Sequence, residues 1–192
     1  MKNRIFLIHG WGGNPEIDWF PWAKKELGEK GYEVIVPGMP DPDYPKIELW
    51  VNKLKEVVGE VRKDDIFVGH SIGCQAVERF MQTLPEDTKL DKVILIAPWV
   101  VLTKRTFEEM GENEEVVKDW YAEPIDYEKI KNMAKWIAVF SDDDPFVNYE
   151  DNYKVYKDKL NAEIILKNNQ GHFAQEQGIS KIPFILELIE VI

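Results

Sequence analysis

The chain has 192 residues, enough for one domain with a sizeable buried core, and its apolar and charged fractions (44% and 31%) are those of a globular protein in water. The formal net charge of −11, with no cluster of Lys or Arg, argues against a nucleic-acid partner, which a negative surface would repel. No stretch approaches the roughly 20 apolar residues of a membrane span, and a single cysteine, Cys74, rules out an internal disulfide. The N-terminal residues enter a strand-like run without a signal-peptide pattern, so a cytoplasmic setting is expected.

Ile5-Phe6-Leu7-Ile8 is a continuous apolar run that predicts a buried strand, followed by the glycine-rich turn His9-Gly10-Trp11-Gly12-Gly13. Residues 18–30 set Trp19, Trp22, Ala23 and Leu27 on one helical face, with Gly31 as the stop. Glu33-Val34-Ile35-Val36 predicts the second strand. After a proline-rich loop, Leu49, Val51, Leu54, Val57, Val58 and Val61 recur at helical spacing. Asp65-Ile66-Phe67-Val68 is the third strand, and residues 74–81 again show helical spacing. Val93-Ile94-Leu95-Ile96-Ala97 is the fourth, ending at Pro98-Trp99.

Residues 100–133 are looser and acidic, broken by Gly111 and Pro124, with short helical pieces near 114–120 and 127–133. This is the one segment with room for a small lid. Trp136-Ile137-Ala138-Val139-Phe140 predicts a fifth strand, residues 149–160 a helix, Glu163-Ile164-Ile165-Leu166 a sixth strand, and residues 182–191 a closing helix. Six apolar strands alternating with helices imply an α/β three-layer sandwich with a mostly parallel six-stranded sheet in a single domain. In such sheets functional groups gather beyond the carboxyl ends of the strands.

Those ends carry the residues with chemical potential. Val68-Gly69-His70-Ser71-Ile72-Gly73 is a Gly-x-Ser-x-Gly motif held between a strand and a helix, the context in which it means a nucleophile elbow. Gly69 and Gly73 fit a turn too tight for side chains on either side of the serine. A serine hydroxyl needs a base, and the chain has three histidines. His9 lies in the first glycine turn, and His70 adjoins Ser71 in the elbow and so points away from it. His172, in the loop after the last strand and preceded by Gly171, is the remaining candidate.

The acid that orients such a base would come from Asp142, Asp143 and Asp144 after the fifth strand. Three adjacent like charges do not survive burial without partners, so at most one should face inward. An oxyanion site would take the amide of Ile72, after the serine, and that of Trp11 in the first glycine turn.

The order Ser71, an Asp, His172 is that of the α/β-hydrolase fold. Ile8-His9-Gly10, the elbow, Pro124-Ile125-Asp126-Tyr127, Ser141-Asp142-Asp143-Asp144-Pro145-Phe146 and Gly171-His172-Phe173 together resemble the small, capless serine hydrolases typified by the retinoblastoma-binding serine hydrolase. The similarity runs over nearly the whole chain. It implies a minimal α/β-hydrolase fold, Ser71 as nucleophile, Asp144 as acid and His172 as base. The Leu-x-Cys-x-Glu ligand of the retinoblastoma pocket is absent, since the lone cysteine reads Gly73-Cys74-Gln75, so no such partner is expected.

Trp11, Trp99, Phe146 and Phe173 flank the site loops and are candidates to line an acyl pocket. Cys74 reads as a small core residue. No paired His, Cys cluster or calcium-loop spacing suggests a metal, and no cofactor is expected. The expected activity is hydrolysis of a carboxylic ester with a small, accessible acyl group through an acyl-enzyme. An amidase or peptidase would use the same residues. A binding protein on a hydrolase scaffold is the rival from another class.

Overall fold

The computed structural model describes residues 2–110 and 114–190. Its strands are β1 (Arg4–Ile8), β2 (Glu33–Ile35), β3 (Ile66–His70), β4 (Lys92–Ile96), β5 (Lys135–Ser141) and β6 (Glu163–Lys167). They form one sheet in the order β2-β1-β3-β4-β5-β6. The helices are α1 (Phe20–Glu29), α2 (Ile47–Val58), α3 (Ile72–Gln82), α4 (Lys104–Met110), α5 (Lys118–Ala122), α6 (Tyr127–Ile130), α7 (Tyr149–Leu160) and α8 (Phe184–Glu190). Every neighbouring pair of strands is parallel, so the sheet is parallel throughout rather than mostly. Parallel neighbours need long crossovers, and the intervening helices supply them.

Continuous apolar runs become strands buried on both faces because side chains alternate along each strand. Phe6, Ile8, Phe67, Val93, Leu95, Ala138 and Phe140 share a core with Trp50 and Leu54 of α2, Phe80 of α3 and Tyr156 of α7. Ile5, Leu7, Ile66, Val68, Ile94, Ile96 and Val139 share the opposite core with Phe20 and Leu27 of α1 and Ile185 and Ile189 of α8. Full burial of each such side chain contributes roughly 1.5–3 kcal/mol.

Several boundaries differ from the periodic reading. The first helix begins at Phe20 rather than residue 18, because Pro21 occupies the first turn, where its missing N–H costs nothing. The second stops at Val58, where Gly59 turns to φ +60, so Val61 packs on the core from outside the helix. The α4 helix was hidden in the irregular acidic stretch. The expected break at Gly111 and the helix end at Val191 lie outside the described residues.

At the amino edge of the sheet, Arg4 makes a bidentate pair with Asp65. Its Nε donates to Oδ1 at 2.8 Å and its Nη2 to Oδ2 at 2.6 Å. The same guanidinium donates to the carbonyls of Val58 and Glu60, and the Arg62 amide donates to Asp65 Oδ2. The pair is buried, but nearly every donor is matched, which is the condition for such a pair to hold β1, β3 and the end of α2 together.

A second buried polar group is less well satisfied. On α3, neither carboxyl oxygen of Glu78 makes a hydrogen bond to protein, and the Tyr156 hydroxyl of α7 makes none either. Arg79 Nη2 donates to the carbonyls of Trp120 and Glu123, tying α5 to α3. Burial raises the Glu78 pKa to about 8, with Arg79 pulling it back down. Cys74, Tyr127 and Tyr156 are the other titratable groups that feel its charge.

Between its ordinary value of 4.5 and about 8, the folded chain therefore holds a proton that the unfolded chain has released. Stability should fall as pH rises through that window, with a slope approaching ~1.4 kcal/mol per pH unit. Glu78→Gln, which keeps the neutral shape, should flatten that slope. Chemical denaturation between pH 5 and pH 8 measures it, and equal slopes in the two proteins would refute the assignment.

Candidate active site

β3 ends at His70 and α3 begins at Ile72, so Ser71 alone makes the turn, with φ +54 and ψ −124. A non-glycine residue in this region stores backbone strain, which persists only when its surroundings enforce it. The enforcing contacts are specific. A Cβ at Gly73 would lie 2.5 Å from the Ile8 carbonyl oxygen and 2.6 Å from that of His9, and one at Gly69 would lie 2.6 Å from Cys74 Cα. The Ser71 amide donates to the Ile96 carbonyl at 2.9 Å, fastening the turn to β4. Ser71 stands at the N-cap of α3, yet its side chain makes no capping bond. Ile72 is the first residue of α3, where an amide has no intrahelical acceptor and meets the positive end of the helix dipole.

The three aspartates separate cleanly. Asp142 Oδ1 accepts the Asn169 amide at 2.9 Å. Asp143 Oδ1 accepts the Ser141 hydroxyl at 2.6 Å and the Gly171 amide at 2.8 Å, and the serine hydrogen bond first, then that amide, lower its pKa. Ser141 Oγ in turn accepts the Gln170 amide at 3.0 Å. Three consecutive side chains at the end of β5, Ser141 to Asp143, thus hold three consecutive amides of the loop after β6. Asp144 turns inward: its side chain is 1% exposed, Oδ1 accepts the amides of Phe146 and Val147, and Oδ2 accepts His172 Nδ1–H at 2.8 Å. Asp142 and Asp143, the two that do not face inward, are exposed yet employed as loop anchors.

Each histidine has a distinct environment. His9 Nδ1 lies 2.9 Å from the Gly10 carbonyl and its Nε2 accepts the Met39 amide, a pattern that requires the neutral Nδ1–H tautomer. His70 Nε2 donates to the His172 carbonyl at 2.8 Å, and burial lowers its pKa to about 3. Both are neutral structural residues around physiological pH. His172 differs in having a carboxylate on Nδ1, which leaves Nε2 as the acceptor nitrogen. Its ring packs edge-on against Phe146, with centroids 5.1 Å apart.

Ser71, Ile72, Trp11 and His172 line a common cavity of about 720 Å³. Trp99 and Phe146 line it as expected. Phe173 does not: it is fully buried on the opposite core, packed edge-on to Phe184. Its φ of +53 turns the ring inward directly after His172, so neighbours in sequence face opposite ways.

The structure adds wall residues that the sequence did not mark: Ile17, Asp18, Leu102, Thr106 and the short turn from Gln175 to Gln177. The one available signal for Asp18 was Pro21, which starts the helix late and leaves Asp18 in the loop. From the expected lid segment, Thr103 donates its hydroxyl to the Pro145 carbonyl at 2.6 Å and its amide to that of Phe146, bracing α4 against the Asp144 loop. Among the described residues, no group of three His, Cys, Asp or Glu side chains is arranged to hold a metal ion. None of the described helices is long and apolar enough to cross a membrane.

Comparison with known proteins agrees with this architecture. The chain is 26% identical over 190 residues to the putative hydrolase YdeN of Bacillus subtilis, covering 98% of this chain and 95% of YdeN. It is 27% identical over 176 residues to the serine hydrolase RBBP9 of Rattus norvegicus, covering 88% and 87%. The crystal structure of the B. subtilis ydeN product superposes with a TM-score of 0.85 at 25% identity, covering 98% of this chain and 97% of that one. The profile described as serine hydrolase matches residues 5–191, and the chain belongs to that family.

Proposed function

We propose that this serine hydrolase is a carboxylesterase acting through a Ser71–His172–Asp144 triad. The observation that carries the reading is the 2.8 Å bond from His172 Nδ1 to the buried Asp144 carboxylate, beside a cavity that both His172 and the strained Ser71 line. Asp144 fixes the tautomer, so His172 Nε2 is free to take the Ser71 proton. The Ser71 oxygen attacks the ester carbonyl. The tetrahedral oxyanion is received by the amides of Ile72 and Trp11, helped by the amino end of α3.

His172 then returns the proton to the departing alkoxide as the carbonyl re-forms, leaving an acyl-enzyme. Water attacks that ester with His172 again as base, and the acid product leaves with Ser71 regenerated. Asp144 stabilises the imidazolium in both halves. An alkoxide leaves more readily than an amine, which favours an ester over an amide. A small, accessible acyl group would lie on the apolar wall of Trp11, Trp99 and Phe146.

The test is labelling with a fluorophosphonate probe read by intact mass. Wild type should gain one adduct, and Ser71→Ala and His172→Ala should gain none. Asp144→Asn should keep the fold but lower kcat by about 10³–10⁴-fold, since the wrong tautomer is held. No adduct on the wild type, under conditions that label a control hydrolase, would favour a binding protein on this scaffold.

The anchoring role of Asp143 predicts a graded effect. Asp143→Ala removes the acceptor for Ser141 and Gly171, and should slow labelling by about tenfold through a looser His172 loop, each lost bond being worth roughly 1 kcal/mol. An unchanged labelling rate would show that the loop holds its place without it.

A further inference from the structure

The cavity around Ser71 and His172 has two unlike walls. One is apolar. The other carries Asp18, Gln175, Glu176 and Gln177, and neither Lys nor Arg is among the described residues lining the cavity. Two carboxylates therefore face this space with no lining cation.

The polar wall carries two carboxylates and two carboxamides. His70 also lines the cavity, and with its Nε2–H committed to the His172 carbonyl, its buried Nδ1 is an acceptor without a protein donor. Gln177 Oε1 is buried without a protein donor as well. Asp18 is the group held most deliberately. Its backbone sits at φ +55, a conformation that Asp and Asn tolerate better than most residues. Its Oδ1 accepts the Gln175 amide at 2.8 Å, joining the loop before α1 to the turn after His172. Oδ2 has no protein hydrogen bond among the described residues. Burial raises the pKa of this carboxyl, while the Gln175 amide first and then the nearby His172 oppose the rise.

We propose that Asp18 is a specificity residue of this cavity, its free carboxylate oxygen receiving an ammonium group on the acyl or leaving part of the substrate. An ammonium brings three donors and a positive charge to a wall with two carboxylates, and a half-buried carboxylate is costly until a cation meets it. The hydrocarbon stem of such a group packs on the apolar wall. Glu176 and the net charge of −11 draw cations toward the cavity and repel anionic esters. The proposal rests on the hydrolase reading for the reacting end of the substrate, but not for binding of the cation.

Equilibrium binding separates the two. Phenylpropylammonium, phenylpropanol and phenylpropanoate, matched in length, are titrated calorimetrically into the wild type, Asp18→Asn and Glu176→Gln, and kcat/KM is measured on matched cationic and neutral esters. The ammonium should bind about tenfold more tightly than the alcohol, and the carboxylate most weakly, with the preference reduced by salt. Asp18→Asn keeps an acceptor for the Gln175 amide and should cut the ammonium-to-alcohol ratio about tenfold, with Glu176→Gln reducing it less. Asp18→Gly, which accepts the positive φ, replaces it if the asparagine variant does not fold.

Equal binding of ammonium and alcohol by the wild type, or a preference that survives loss of the Asp18 charge, overturns the proposal. Ammonium-selective binding without ester turnover or a fluorophosphonate adduct would fail the hydrolase reading and leave the cation site standing. Turnover with no charge preference would do the reverse.

Discussion

The contact on which the site depends is the approach of Gly73 to the end of β1. At that point the backbone of α3 comes so close to the Ile8 and His9 carbonyls that a single added carbon would sit about 2.5 Å from oxygen. The closeness brings the glycine turn after β1 beside Ser71, because β1 and β3 are parallel neighbours and their carboxyl ends fall at one edge. Any side chain at position 73 would require α3 or the end of β1 to shift. The Gly73 contact and the approach of Gly10 to Ser71 thus belong to the same junction of β1, β3 and α3.

Electrostatics at this edge is organised by individual partners rather than by net charge. Asp142, Asp143 and Asp144 would repel one another if left to themselves, yet each carboxylate accepts backbone amides or a hydroxyl of its own. The first two secure the loop that carries His172, and the third bonds the imidazole. His9 and His70, held neutral by burial, serve as hydrogen-bonded struts, one on Met39 and one on the His172 carbonyl. The His172 loop is thus gripped from β5, from the elbow and from Asp18. That grip is what a loop outside the sheet needs to hold a side chain at fixed geometry.

The far side of α3 shows the opposite condition. Glu78 is buried without a protein donor, and its high pKa follows from that burial. The three aspartates after β5 each accept hydrogen bonds from protein, whereas this carboxyl has no protein donor and its pKa is raised to about 8. The same helix therefore presents a strained serine at its amino end and a protonated carboxyl two turns later.

The sequence by itself determined the sheet and the elbow. Apolar runs of four or five residues, turn glycines and helical spacing are local signals, and the helix from Tyr149 to Leu160 follows its periodicity to the residue. The glycines at 69 and 73, and the order of serine, acidic run and histidine, were legible for the same reason. What only tertiary structure decided was direction. Asp144, not its two neighbours, turns inward to a histidine 28 positions away, Phe173 enters the opposite core, and Asp18 meets a residue 157 positions on. Which way a loop side chain points is set by the elements that pack against it, and those contacts are made across the sheet, beyond the reach of local pattern.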